Sequence, residues 1–249
     1  MAGRTEDRSF GDAAGDPTPK DVIRQGARDA VGLPAISLVL SMTGFGSLAR
    51  ESGLDLSLAL VSTAGVWGLP GQLAMVELYA SGAGLLVIVV ASSLANARFL
   101  PMAAAFLPTL RPGLRRPGWL FLLAHCISLN TWAAGMRVCP GLRPPLRHRY
   151  FTAFFAVCLA AALAGTVIGY LATGTLPRPV TLGLVFLNPV FFALLLAAPQ
   201  GYAAAMALVL GALIGPPLHI WSPDWGVPAA GLIAGTATFL VSRRKRGAG

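Results

Sequence analysis

The chain has 249 residues, 55% of them hydrophobic and 12% charged, which is about half the roughly 25% charged content of an ordinary soluble domain. Of its ten carboxylates only Glu77 and Asp224 follow residue 56, so the long remainder of the chain cannot present a water-solvated surface. The formal charge of +9 comes mostly from arginines at the termini and in the breaks between apolar runs; this basic-loop pattern marks a membrane protein and excludes nucleic-acid binding, which needs a basic face on a soluble fold.

Residues 1–28 are polar, carry Arg4, Arg8, Lys20, Arg24 and Arg28, and contain no apolar core of a signal peptide, so they predict a disordered cytoplasmic tail. Apolar stretches follow at 30–49, 56–79, 83–108, 118–138, 151–173, 180–198, 201–215 and 226–242. They predict an all-α, polytopic membrane helical bundle forming one transporter domain over residues 29–242, with a basic cytoplasmic tail at 243–249. The segment 201–215 is short for a hydrocarbon core that needs about 20 residues, and 56–79 is interrupted by Trp67-Gly68-Leu69-Pro70-Gly71-Gln72.

Counting cations by loop places the N-terminal tail, the region 137–149 and the C-terminal tail on the cytoplasmic side, hence an even number of crossings of the cytoplasmic membrane. If 56–79 enters and leaves on one side and 118–138 also fails to cross, Arg111, Arg115 and Arg116 join the cytoplasmic set. The expected count is therefore six to eight membrane segments. Three GxxxG spacings, at Gly165/Gly169, Gly211/Gly215 and Gly231/Gly235, predict close helix packing.

Within the interruption, Gly68 permits a reversal, Pro70 suits the start of a new helix and Gly71 bares backbone. A half-helix starting here aims free N–H groups and its positive end at the bilayer interior, which suits an anionic group. The polar residues at membrane depth extend the candidate site to Gln72, Glu77, Asn96, Arg98 and Asn188. A charge at the bilayer centre costs about 2.5 to 3.5 kcal/mol, so Glu77 and Arg98 either pair with each other or serve a ligand. Asn96 and Arg98 diverge by some 200° on one helix; Pro101 predicts a kink between them by removing an N–H from the ladder.

The three histidines lack metal-ligand spacing, and His125 reads as a core or interfacial group. The three cysteines show no CxxC spacing and read as packing residues. The absence of GxxxxGK[ST], GxSxG and HExxH leaves no nucleotide motor, hydrolase or metalloprotease signature, so neither enzyme activity nor a cofactor nor a metal is expected.

The motif order resembles the AzlC family, the large membrane subunits of AzlCD-type branched-chain amino-acid exporters. Pro34 with Gly44-Phe45-Gly46, then Gly68-Leu69-Pro70-Gly71-Gln72, Asn96-Ala97-Arg98 and Gly183-Leu184-Val185-Phe186-Leu187-Asn188-Pro189 carry that resemblance across about residues 26–242. It implies a secondary exporter of small neutral, above all branched-chain, amino acids. It also implies a small hydrophobic AzlD-like partner and substrate contacts from Gly68, Pro70, Gly71, Gln72, Asn96, Arg98 and Asn188. The competing readings are a membrane-embedded enzyme acting on a lipid and a non-transporting scaffold subunit.

Overall fold

The computed structural model describes residues 17–114, 116, 118–175, 177–197, 202–221 and 226–246, with side chains through Leu187, at Val190, and over 205–221 and 229–241. Every regular element among them is helical: α1 (Pro19–Ala30), α2 (Leu33–Glu51), α3 (Leu56–Gly65), α4 (Leu69–Ala80), α5 (Leu85–Ala95), α6 (Phe99–Leu110), α7 (Trp119–His125), α8 (Leu129–Val138), α9 (Pro144–Leu171), α10 (Arg178–Ala197), α11 (Tyr202–Trp221) and α12 (Gly226–Arg246). Two compact units divide inside α10, at Asn188 and Pro189.

Among the described residues, only α2 and α9 are each long and apolar enough to cross a membrane; α5 and α6 qualify together, as a pair bent by 56°. The expected apolar stretches are present, but three of them are interrupted, which leaves fewer uninterrupted spans than stretches. One break lies at Val66–Gly68, one at Asn96–Arg98, and one at Cys126–Ser128.

The disordered tail expected through residue 28 gives way to helix from Pro19 onward. Thr18 and Asp21 cap each other's backbone N–H groups in a capping box, and Val22, Gly26 and Ala30 form a buried stripe four residues apart. That stripe lies on α9, where Gly26 abuts the Tyr150 backbone and the Tyr150 hydroxyl donates to Asp29 Oδ2 at 2.8 Å.

Parallel packing of α2 against α9 forms the centre of the first unit. A Cβ on Gly165 would sit 3.0 Å from Met42 Cβ, one on Gly169 2.7 Å from Thr43 Cα, and one on Gly46 2.8 Å from Tyr170 N. Rising residue numbers in α2 thus meet rising numbers in α9, and glycine is what lets the two backbones approach. Among the described residues the other two expected GxxxG stripes do not pack this way: none of those residues lies within 4 Å of a Cβ on Gly211, Gly215, Gly231 or Gly235. In the second unit α11 packs on α12, whose buried positions include Ala230, Ala234 and Thr238.

Position along α9 orders the rest of the first unit. Near its C-terminal end, the Tyr170 hydroxyl donates to Leu54 O at 3.0 Å, so α3 begins there. Thr63 then meets Thr166 at 3.0 Å, and the Trp67 ring meets Phe155 edge-on with centroids 5.0 Å apart, so α3 descends to the middle of α9. At the opposite end, Arg147 donates to Thr109 O at 2.9 Å, Phe106 lies 4.9 Å from Phe151, and the Cys139 thiol donates to Arg147 O at 3.8 Å. There α6 ends and the connection from α8 enters α9.

Candidate functional site

The helix break after α3 starts with strain. Trp67 holds a left-handed backbone, φ +48°, that a bulky residue rarely adopts. Gly68 then caps α4 without any side chain, and Pro70 stands in its first turn, where a missing N–H costs nothing. Gln72 N–H donates to Gly68 O at 3.0 Å, which leaves the Leu69 and Gly71 amides, with that of the cap residue Gly68, as free donors of this helix start.

Gln72 is fully buried. Its Nε2 donates to Thr63 Oγ1 at 3.2 Å and to Ser62 Oγ at 3.4 Å. Both hydroxyls give their own protons to Ala59 O, at 2.9 and 2.8 Å, so toward Gln72 they can only accept. This fixes the amide: the nitrogen end is engaged, and the oxygen end, Oε1, is buried without a donor. Leaving such an acceptor unpaired costs about 1 to 3 kcal/mol.

Asn96, at the second break, lies against the first turn of α4. Its amide occupies the space a Cβ would need on either Gly68 or Gly71, and Asn96 Oδ1 is likewise buried without a partner. Ser92, one turn earlier on α5, is buried with its hydroxyl unpaired. Pro101 does remove an N–H from the ladder, but Leu100 N–H reclaims the Ala97 carbonyl at 3.0 Å, so the kink is a tightened turn and no open carbonyl results there.

Gly68, Pro70, Gly71, Gln72 and Asn96 are therefore brought together. Arg98 is exposed, with its guanidinium 5.3 Å from the centroid of the Phe99 ring. Since Phe99 Cε2 packs 2.8 Å from the Cβ position of Gly68, Arg98 sits on the rim of the same break. Glu77 is exposed toward the far end of α4 and makes no ion pair with Arg98. The side chain of Asn188 lies outside the described residues.

Sequence reading missed several members. Trp67 is 5% exposed, with its indole N–H unpaired beside the break. Ser62, Thr63 and Thr166 carry no signal in the sequence, because hydroxyls in apolar helices normally satisfy themselves on the preceding turn. His125, expected in a core or interfacial role, reaches Ala64 O through Nε2 at 2.8 Å and ties the end of α7 to the end of α3.

The model of the AzlC protein family matches residues 34–176, more than half of the chain. No curated protein matches the chain, and no solved structure does. With its apolar helices and that match, the chain is a membrane, transport-related subunit and belongs to the AzlC family.

Proposed function

We propose that the chain is the large subunit of a secondary exporter of small neutral, branched-chain amino acids in the cytoplasmic membrane, both termini in the cytoplasm, working with a small hydrophobic AzlD-like subunit. The observation that carries the reading is Gln72: a buried amide with its donor end fixed and its acceptor end open, in the first turn of a helix that starts inside an apolar stretch. On this reading α3 and α4 are two halves of one broken membrane segment. A zwitterion fits the groups. The free amides of Leu69 and Gly71 and the rim cation Arg98 suit its carboxylate. Gln72 Oε1 and Asn96 Oδ1 suit its ammonium, and apolar side chains around the break suit an aliphatic side chain. Residues 78–249 hold no carboxylate except Asp224, which supports an external anion as the counter-charge of Arg98.

Counterflow of labelled leucine in proteoliposomes holding the chain and its partner tests the proposal. Wild type exchanges leucine, and Gln72→Leu lowers the rate at least tenfold while thermal unfolding in detergent stays near the wild-type midpoint, since removal of the unpaired acceptor offsets the two Nε2 hydrogen bonds lost with it. Absence of leucine exchange by the wild type, or a fully active Gln72→Leu, contradicts it; a lipid product formed by the chain favours the membrane-enzyme reading instead.

A further inference from the structure

The α7–α8 break mirrors the α3–α4 break from the opposite end of the first unit. The α6 terminus lies beside the start of α9 through Arg147 and Thr109, and the residues after α8 return to the same place through Cys139 and Arg147. Between these points α7 runs inward and ends at His125, whose imidazole meets Ala64 O at the inner end of α3. The α3 helix entered from the other end of α9, near Tyr170. The inner tips of two interrupted segments, entering from opposite ends, are thus joined by one hydrogen bond.

Each tip starts a helix. At α8, Ser128 and Thr131 form a reciprocal cap, with Ser128 N–H donating to Thr131 Oγ1 at 2.7 Å and Thr131 N–H to Ser128 Oγ at 3.4 Å. Trp132 N–H donates to Ser128 O, which leaves the amides of Leu129 and Asn130 without intrahelical acceptors. The Asn130 side chain stands in this first turn, 5% exposed, with no hydrogen-bond partner among the described residues. The facing tip holds its own unpaired groups, Gln72 Oε1 and the Trp67 indole N–H. Buried polar groups are nearly always paired, so the orphans of the α4 tip, with the unpartnered and nearly buried Asn130 on the α8 tip, point to a polar ligand between them.

We infer that the start of α8, with Asn130, is the second half of the carboxylate subsite: one carboxylate oxygen faces the Leu69 and Gly71 amides, the other faces the Leu129 and Asn130 amides and Asn130 Nδ2. This rests on the transporter reading above and adds a binding residue on a segment that reading does not use. Two helix starts approaching one anion from opposite sides place its charge between two positive dipole ends. His125 positions the two tips and does not touch the ligand.

Asn130→Asp tests this, being nearly isosteric while replacing a donor with a negative charge. In counterflow by the complex it raises the leucine KM at least tenfold, yet inhibition by leucinol, which keeps the ammonium and lacks the carboxylate, stays at the wild-type level. An unchanged leucine KM, or an equal loss for leucinol, overturns the assignment. A second measurement does not depend on leucine being the cargo. With Cys126, Cys139 and Cys158 replaced, Leu129→Cys, half-buried at the tip, reacts with a small hydrophilic thiol reagent although the apolar segment 118–138 encloses it. An inert Leu129→Cys removes the second half-site even where leucine exchange is confirmed; a wild type that exchanges no leucine but has a reactive Leu129→Cys contradicts the cargo and leaves the two-tip site standing.

Discussion

At the scale of single residues, the site combines unmet hydrogen-bonding capacity with space that only glycine leaves. Gly71→Ala puts a methyl group where the Asn96 amide lies, so it displaces Asn96 and abolishes leucine exchange, with a stability loss of about 1 to 3 kcal/mol, typical of overpacking. Gly169→Ala presses on the Thr43 backbone far from the break and costs more, because backbone cannot swing aside as the Asn96 side chain can. Thermal unfolding therefore shifts further in Gly169→Ala than in Gly71→Ala, whereas residual transport per folded molecule survives only in Gly169→Ala. A different residue-level expectation concerns Asp21, whose carboxyl is held below its ordinary value of 3.8 mainly by the Thr18 hydroxyl and backbone N–H. A depressed folded value means the cap is fully present above that ordinary value and is lost as pH falls through the folded one. Protection of the α1 amides, relative to their intrinsic exchange rates, therefore falls in that acid window, and Asp21→Asn removes that pH dependence.

At the scale of elements, the breaks explain how much the sequence disclosed. Trp67-Gly68-Leu69-Pro70-Gly71 announces an interruption because Gly and Pro punctuate helices openly, and the α3–α4 gap, residues 66–68, overlaps its start. Cys126-Ile127-Ser128 contains neither, so 118–138 reads as one apolar stretch; its only signal is the Ser128–Thr131 capping pair, easily lost among apolar residues. The same kind of signal, Thr18-Pro19-Lys20-Asp21, was hidden in the polar tail by the surrounding charges. Gln72 and Asn96 stood out as polar groups at depth, but their hydroxyl partners did not, since nothing in the order of residues shows that Thr63 on α3 and Thr166 on α9 meet. His125 joins α7 to α3 through a carbonyl, and His125→Ala removes that tie. The expected result is faster hydrogen exchange at 64–69 and at 126–131 together, with α1 unaffected; acceleration in only one of the two tips contradicts their coupling.

At the scale of the whole molecule, the outer surface is apolar where a lipid or a partner must cover it. On α5 the exposed side chains include Leu85, Leu86, Val87, Val89, Val90 and Leu94, and Ser92 is its buried residue. The α3–α4 interruption, by contrast, turns inward onto α9, where Trp67 meets Phe155, and a protein-covered position is where irregular backbone is tolerated at membrane depth. The purified chain reconstituted alone is expected to exchange little valine, and addition of its small subunit to restore exchange; full exchange by the chain alone removes the partner from the proposal. The central claim, that the start of α4 faces a water-filled substrate site, is tested most directly by comparing two single cysteines in a background lacking Cys126, Cys139 and Cys158. Pro70→Cys replaces a half-buried residue, and Leu86→Cys replaces one that is 76% exposed on α5. The account predicts that a hydrophilic thiol reagent modifies the half-buried position and spares the exposed one, and that saturating leucine protects Pro70→Cys. Labelling that follows exposure instead, with Leu86→Cys reactive and Pro70→Cys inert, contradicts it.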